Sequence, residues 1–190
     1  MKYLGMRYFL VLFFLLFFCL GHSQKRESII HFRNGEQKKC LATMRKGKII
    51  VFHENGKKEK LDHRTVSKIE YGSVWGTGIF YYKIQKGYSG VMLIELIKAG
   101  AVNLYGVYIH QTSFDGVSSG GNMLYYLGKE NEGTLTNFER PQQYGQTWFE
   151  TYAKEFFADC GPVLQKIERK EFRRLDLPEI AEYYNSTCGN

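Results

Sequence analysis

Four histidines, the side chains best suited to metal binding and to proton transfer near neutral pH, lie beyond the first 23 residues of the chain. They are His31, His53, His63 and His110. No HExxH, CxxC or His-x-His spacing accompanies them, and such spacings bring metal ligands together on one element. His31 and His53 would converge only if their strands pair, and Glu54 or Asp62 would then lie nearby. The sequence therefore predicts no metal site and no cofactor.

Motifs for nucleophilic catalysis and for phosphate binding are also incomplete. Residues 87–90 (GYSG) approach the GxSxG pattern of a serine nucleophile without completing it. Residues 116–121 (GVSSGG) have phosphate-loop spacing, but Asn122 follows where a lysine is needed to reach the phosphates. Residues 185–187 (NST) match a glycosylation acceptor. No catalytic residue is predicted.

Two cysteines bracket a pair of predicted short helices near the end of the chain. Apolar residues recur at helical spacing over about 162–172 and again over about 177–184. If these helices fold as a hairpin, Cys160 and Cys188 meet at their outer ends, within the roughly 4.4–6.8 Å Cα separation of a disulfide. A Cys160–Cys188 disulfide is therefore predicted, which suits an oxidising compartment. Cys40 is interpreted as a buried strand residue, and pairing with Cys160 or Cys188 is the alternative.

The first of these helices carries a basic face opposite its apolar stripe, and this face is the main candidate binding surface. Its members are Lys166, Arg169, Lys170 and Arg173. The face would suit an anionic membrane or glycan, and the alternative is a solvated face interleaved with Glu168 and Glu171. Trp75, in a glycine-rich bend, is the second candidate. Its ring would either stack on a sugar or cover the core as a lid.

The first 23 residues have the layout of a secretory signal peptide. Lys2 and Arg7 precede an apolar run of about 12 residues, shorter than the roughly 20 that span a bilayer as a helix. Small residues at Gly21 and Ser23 predict cleavage before Gln24. The prediction is an exported chain, periplasmic or secreted, with no transmembrane span in its mature form.

Cys19 offers an alternative, in which the protein is a lipoprotein anchored through this cysteine. Phe18 precedes it where lipoprotein signals carry a small residue, so Cys19 is interpreted as part of the apolar run. Removing residues 1–23 takes away two of the 26 Lys and Arg and none of the 19 Asp and Glu, which lowers the formal net charge from +7 to +5. Export favours anionic lipid or polysaccharide over nucleic acid as the counterpart of this charge.

Short apolar runs separated by turn residues occupy the chain between the signal and the C-terminal helices. Over 24–72 they predict four or five strands, forming an antiparallel sheet or a small SH3-like or Sm-like barrel. A second β-rich segment is predicted over 73–146, where VMLIELI (91–97) should be a strand covered on both faces. The C-terminal helical region covers 147–190 and begins with a helix over 147–158. The predicted fold class is therefore α+β.

The order of these parts resembles that of a group of small exported bacterial proteins of unknown function. The resemblance rests on a leading β segment followed by ELIKAGAVNLYG (95–106), YYLGKE (125–130), FFADCGPVLQKIERKEF (156–172) and LPEIAEYYNSTC (177–188). It covers most of the chain beyond the signal, and its C-terminal part is the most specific. It implies no activity, cofactor or catalytic residue that transfers to this chain.

Lysines at predicted hairpin ends, as at 38–39 and 57–60, either discourage edge-to-edge aggregation or bind anions. Together with the export signal they predict a non-catalytic binding or assembly module of the bacterial cell envelope, which engages an anionic glycan, lipid or protein partner. The alternative is an envelope-directed hydrolase whose site is assembled only by the fold. Nucleic-acid binding by a Sm-like barrel is a third hypothesis, and the signal peptide argues against it.

Overall fold

The computed structural model describes residues 25–73, 76–112, 118–130, 132–138 and 145–189. The predicted signal peptide over 1–23, with Cys19, lies outside these residues. Trp75 also lies outside them, so its predicted role stays a prediction.

Within the described residues the chain forms ten strands followed by three helices. The strands are β1 (Arg26–Phe32), β2 (Gln37–Arg45), β3 (Lys48–Phe52), β4 (Lys58–Leu61), β5 (Val66–Ser73), β6 (Gly76–Gln85), β7 (Val91–Lys98), β8 (Val102–Thr112), β9 (Ser118–Lys129) and β10 (Thr134–Leu135). The helices are α1 (Gly145–Phe156), α2 (Gly161–Glu168) and α3 (Leu177–Thr187). The predicted α+β class, with C-terminal helices, is confirmed.

All ten strands belong to one sheet, in the order β4-β3-β2-β1-β5-β6-β7-β8-β9, and the neighbours along this path are antiparallel. The short β10 pairs in parallel with β6, and the next residue, Thr136, forms a bridge with Leu127 of β9. The sheet is open, so of the two predicted alternatives the antiparallel sheet is observed and the small barrel is not confirmed. The reason is that β5 pairs with both β1 and β6, which leaves it no free edge to close onto β4.

The strand β7 confirms that VMLIELI is covered on both faces. Val91 and Leu93 pack against the core of the first half of the sheet, which Ile30, Val51 and Ile69 help to form. The alternate residues of β7 pack on the opposite face, in a second core: these are Met92, Ile94 and Leu96. Such alternation explains why β7 is apolar on both faces over residues 91–94; further along the strand, Glu95 interrupts the run and Ile97 is 42% exposed.

The three helices cover β8 and β9 and form a third core with them. Phe138 stacks with Phe157 and makes edge-to-face contact with Phe149, and all three rings are fully buried. α1 begins two residues before the helix predicted over 147–158 and ends two residues before its predicted end. The amphipathic pattern thus predicted the helix and its buried face, with small errors at its ends.

The helix predicted over 162–172 ends earlier, at Glu168, because the chain turns into a Schellman motif. Lys170 adopts a left-handed conformation with φ of 60°, and its N–H donates to the carbonyl of Ile167. The next N–H, of Glu171, donates to the carbonyl of Lys166. Glycine usually supplies this conformation and lysine is rare in it, so the early end of the helix could not be predicted from the residue types.

The predicted disulfide between Cys160 and Cys188 is present, with a Cα separation of 5.8 Å. Cys160 precedes α2 and is fully buried, and Cys188 caps the end of α3. The bond therefore closes the helical hairpin at the end where the two helices meet the sheet.

A second connection between α3 and the sheet passes through Asn185. The Val102 N–H donates to the Asn185 side-chain oxygen, and the Asn185 amide donates to the Val102 carbonyl, both over 2.8 Å. Pairing of β8 with β7 starts only at Leu104, so this amide takes the place of a neighbouring strand at Val102. Gly100 makes room for it, because a Cβ there would lie 2.3 Å from the amide nitrogen. With the amide occupied, the acceptor motif at 185–187 is not available for glycosylation in the folded chain.

Asp159 forms a third connection, between the α1–α2 turn and the sheet. Its carboxylate accepts hydrogen bonds from the Lys129 ammonium over 2.6 Å and from the Tyr184 hydroxyl over 2.9 Å. Burial alone would raise the pKa of Asp159, but these two hydrogen bonds hold it below its ordinary value. Burial and the bond to Asp159 raise the pKa of Tyr184 to about 12.

Because the folded-state pKa of Asp159 is lowered, its contribution to stability is present above the unfolded-state pKa of about 3.9 and is lost as the pH falls through the folded-state value. We expect Asp159→Asn to lower the free energy of unfolding at neutral pH by at most about 1 kcal/mol, since the ion pair is partly exposed. The difference from wild type should shrink below about pH 4. Urea unfolding across this pH range measures the difference in the free energy of unfolding. Lys129→Met should show the same loss and the same pH dependence, because it removes the partner of Asp159. A difference that does not change with pH would contradict the assignment.

Candidate ligand-binding groove

A cavity of about 1100 Å³ lies across the first half of the sheet, over β1, β2 and β3 and the paired ends of β5 and β6. The strand register explains its position. Glu27 of β1 lies opposite Leu41 of β2, and Leu41 lies opposite Phe52 of β3. On the other side of β1, Gly72 of β5 lies opposite Thr77 of β6. The backbone of β5 approaches β1 closely here, because a Cβ on Gly72 would lie 2.8 Å from the Glu27 carbonyl oxygen. We call this cavity the β1–β3 groove.

The floor of the β1–β3 groove is apolar. It contains Ile29, Leu41 and Phe52, which alternate along their strands with residues of the core on the opposite face. Leu41 is 46% exposed, although its strand pairs on both sides. A large aliphatic side chain in the middle of a sheet is thus open to the solvent of the groove.

Lysines surround this floor. The Lys25 ammonium lies 4.6 Å from the centre of the Phe52 ring, and the Lys58 ammonium lies 5.7 Å from it, both within the range of cation–π attraction. Lys38 and Lys39 of β2 also line the groove and are exposed. Within the part of the chain that the structure describes, neither Lys38 nor Lys39 forms an ion pair. Their charges are therefore free to meet an anion.

Carboxylates of the groove are partly neutralised by the protein. Glu70 accepts a hydrogen bond from Lys68 over 3.1 Å and lies 2.8 Å from the ring nitrogen of His31. The Lys68 hydrogen bond and, after it, the His31 contact lower the pKa of Glu70. Glu27 and Glu54 line the groove as well. The lining thus carries both signs, with its cations grouped at residues 38–39 and above the Phe52 ring.

His31 and His53 do not converge, because β1 pairs with β2 and β5 and not with β3. His31 binds Glu70, whereas a ring nitrogen of His53 lies 3.0 Å from Glu59. Asp62, the other proposed neighbour, is bound by Arg64, whose hydrogen bonds hold its pKa at about 2. Among the residues described by the structure, no group of three or more His, Cys, Asp and Glu side chains is placed to hold a metal ion.

Cys40 is a free cysteine of β2, and it borders the groove from the core side. Its side chain is partly buried and packs against the core of the first half of the sheet. Burial is the main cause that raises the pKa of its thiol, so the thiol is protonated at neutral pH. Cys40 is thus an unpaired strand residue, but it is only partly buried and not fully buried as interpreted from the sequence.

The four residues of the predicted basic face at 166–173 do not lie on one helix in the structure. Only Lys166 lies within α2, and its ammonium binds Glu171 over 2.8 Å above the rings of Phe172 and Tyr183. The other three residues follow the end of the helix, so they do not form one helical stripe with it: these are Arg169, Lys170 and Arg173. Arg169 and Arg173 lie at 4.0 Å from the carboxylates of Glu171 and Asp176 respectively.

The groove could not be predicted from motifs, because no catalytic motif falls on the residues that line it. One signal was present: adjacent apolar pairs occur in three consecutive strands, at residues 29–30, 41–42 and 51–52. In each pair one residue must leave the core, because successive side chains of a strand point to opposite faces. An outward apolar residue on three neighbouring strands predicts an apolar surface, although it does not reveal that the surface is concave.

No described helix is both long and apolar enough to cross a membrane. Comparison of the chain with protein-family models, with curated proteins and with solved structures gives no match. The resemblance to small exported bacterial proteins therefore stays a prediction.

Proposed function

We propose that this chain is an exported, non-catalytic binding module of the bacterial cell envelope, and that it holds an anionic ligand in the β1–β3 groove. The observation that carries the proposal is the pairing of an apolar floor with lysines at its rim. Ligand sites are concave and mostly apolar, with a few charged or polar groups that fix orientation. Lys39, which lies on the same face of β2 as Leu41, supplies such a charge at one end of the floor, and Lys25 and Lys58 supply charges at the Phe52 ring.

Export is supported by two independent features. The first 23 residues have the composition of a signal peptide, and the Cys160–Cys188 disulfide is of a kind that forms and persists in oxidising compartments. An anionic ligand in such a compartment is a lipid, an acidic polysaccharide or an acidic protein surface. Under this hypothesis the protein acts by binding such a ligand.

The groove is a better candidate than the predicted basic face at 166–173. There, Lys166 is held by Glu171, and the nearby arginines lie close to carboxylates. An anion binding at that position would have to compete with these carboxylates. Among the described residues neither Lys38 nor Lys39 forms an ion pair, and Lys39 lies beside the apolar floor, opposite Ile29.

The test is a charge reversal at the rim of the groove. The mature chain from Gln24 would be titrated with polygalacturonate and with phosphatidylglycerol-containing vesicles at low salt. We expect the double variant Lys38→Glu/Lys39→Glu to bind at least roughly tenfold more weakly, since an exposed ion pair contributes up to about 1 kcal/mol. The matched control is Arg45→Glu/Lys48→Glu, at the other end of the β2–β3 hairpin and about 20 Å away along β2.

The control variant changes the net charge by the same amount as the test variant. It should keep most of the wild-type affinity, because its residues are outside the groove. Equal weakening in both variants would show that only the net charge matters, and undiminished binding in Lys38→Glu/Lys39→Glu would show that the groove is not the site. Either result would contradict the proposal.

A further inference from the structure

We infer that the ligand of the β1–β3 groove is a single anionic amphiphile, a molecule with an aliphatic chain and a carboxylate or phosphate head group. The inference rests on the proposed function and specifies its ligand class. The chain would lie on the apolar floor, and the head group would meet Lys39, whose side chain is on the floor side of β2.

The floor continues as an apolar strip across three strands. Leu41 lies between Ile29 and Phe52, and Ile50, the next outward residue of β3, extends the strip beyond the groove. Neighbouring strands are about 4.8 Å apart, so the three strands give the strip a width of about 10 Å. Such a strip accommodates one extended aliphatic chain.

Lysines flank the apolar strip at fixed register positions. Lys39 lies opposite Ile29, and Lys58 lies opposite Phe52. Ile29 and Phe52 thus each have a lysine opposite them on a neighbouring strand, whereas Leu41 lies between Glu27 and Phe52. Lysine presents a compact point charge and has no fixed planar array of donors, which suits a carboxylate or phosphate whose position is set by an attached chain.

An amphiphile fits the floor better than a sugar does. Sugars stack on a free aromatic face and require a set of hydrogen-bonding groups around it. The only aromatic ring of the floor is Phe52, among the described residues that line the groove, and the ammonium groups of Lys25 and Lys58 lie over it. The most exposed floor residue is the aliphatic Leu41, which offers a sugar no hydrogen bond.

The concave shape favours one dissolved molecule over the surface of a membrane. The cavity of about 1100 Å³ is comparable to the upper range of small-molecule sites, which hold about 300–1,000 Å³. A protein surface that lies flat on a bilayer needs exposed apolar side chains that project outward. Here the apolar side chains form the bottom of a depression with lysines at its rim.

The test uses a homologous series of alkyl carboxylates, hexanoate, octanoate and decanoate, below the concentrations at which they form micelles. Calorimetric titration of the mature chain should give one site, with affinity rising about fourfold for each added methylene that is buried. Leu41→Asn should flatten this dependence on chain length. Leu175→Asn, the same change at a more exposed leucine in the α2–α3 connection, should leave it unchanged. Both leucines are exposed, so both variants should fold.

Three other results would overturn the inference in distinguishable ways. Binding of polygalacturonate that is lost in Lys38→Glu/Lys39→Glu, without any chain-length dependence of the carboxylates, would reject the amphiphile and leave the proposed function standing. Binding to phosphatidylglycerol vesicles with no binding of dissolved decanoate would assign the surface to a membrane. Absence of binding to all three probes would reject the proposed function together with the inference.

Discussion

Loss of the Cys160–Cys188 disulfide is expected to lower the free energy of unfolding by about 3.5 kcal/mol, in the chain-entropy model for a loop of this length. This is a large part of the roughly 5–15 kcal/mol that stabilises a typical domain. The bond closes the α2–α3 hairpin. Without it, the C-terminal end of α3 is held in place by noncovalent contacts alone. Urea unfolding of Cys160→Ala/Cys188→Ala against wild type measures the effect.

Reduction of the wild-type chain provides the matched comparison. A reducing agent should lower the unfolding midpoint of wild type and of Cys40→Ala, because both contain the disulfide, and it should have no effect on Cys160→Ala/Cys188→Ala. Cys40 is free, so its replacement by itself should change the stability far less. An unfolding midpoint of wild type that is insensitive to reduction would contradict the assigned role of the bond.

Asn185→Ala is expected to cost about 2–4 kcal/mol, because it leaves the N–H and the carbonyl of Val102 without partners in a fully buried position. Each buried polar group that loses its partner costs about 1–3 kcal/mol. Asn185→Asp should also destabilise the chain at neutral pH, since a carboxylate still accepts from the Val102 N–H but presents an oxygen, which cannot donate, to the Val102 carbonyl. Urea unfolding of both variants against wild type measures the two losses.

Gly100 and Ser186 provide the controls for this interaction. Gly100→Ala should destabilise the chain, because its Cβ would overlap the Asn185 amide, which is 2.3 Å from the ideal Cβ position. Ser186→Ala removes an exposed side chain that bonds only within its own helix, and it should be nearly neutral. If Asn185→Ala is as stable as Ser186→Ala, the amide does not fasten α3 to β8.

The disulfide and Asn185 should also be coupled, since both hold the C-terminal end of α3, the disulfide against the start of α2 and Asn185 against β8. Once the disulfide is removed, α3 is more mobile in any partly folded state, and the two losses should not add. A double-mutant cycle between Cys160→Ala/Cys188→Ala and Asn185→Ala measures this coupling.

The disulfide was predictable from the sequence because it depends on local structure. Apolar spacing defined the helices, the short connection required a hairpin, and the hairpin placed Cys160 and Cys188 within bonding distance. The position of β7 was predictable for a similar reason, because a short run with apolar residues at adjacent positions requires cover on both faces.

Other features depend on contacts between residues far apart in the chain. Val102 and Asn185 are 83 residues apart, and no local pattern indicates that an asparagine amide will replace a missing strand there. The end of α2 also departs from the sequence pattern, because Lys170 takes a conformation that glycine usually supplies. The amphipathic pattern by itself continued the helix to residue 172.

The sequence by itself determined the α+β class, the succession of strands and helices, and the disulfide. Hydrophobic periodicity and turn residues are local, and they decide which elements form. The tertiary structure alone decided that β5 pairs with β6 as well as with β1, so the sheet stays open. It also decided that Ile29, Leu41 and Phe52 come together beneath lysines, because strand register, which local periodicity does not encode, places residues of three strands side by side.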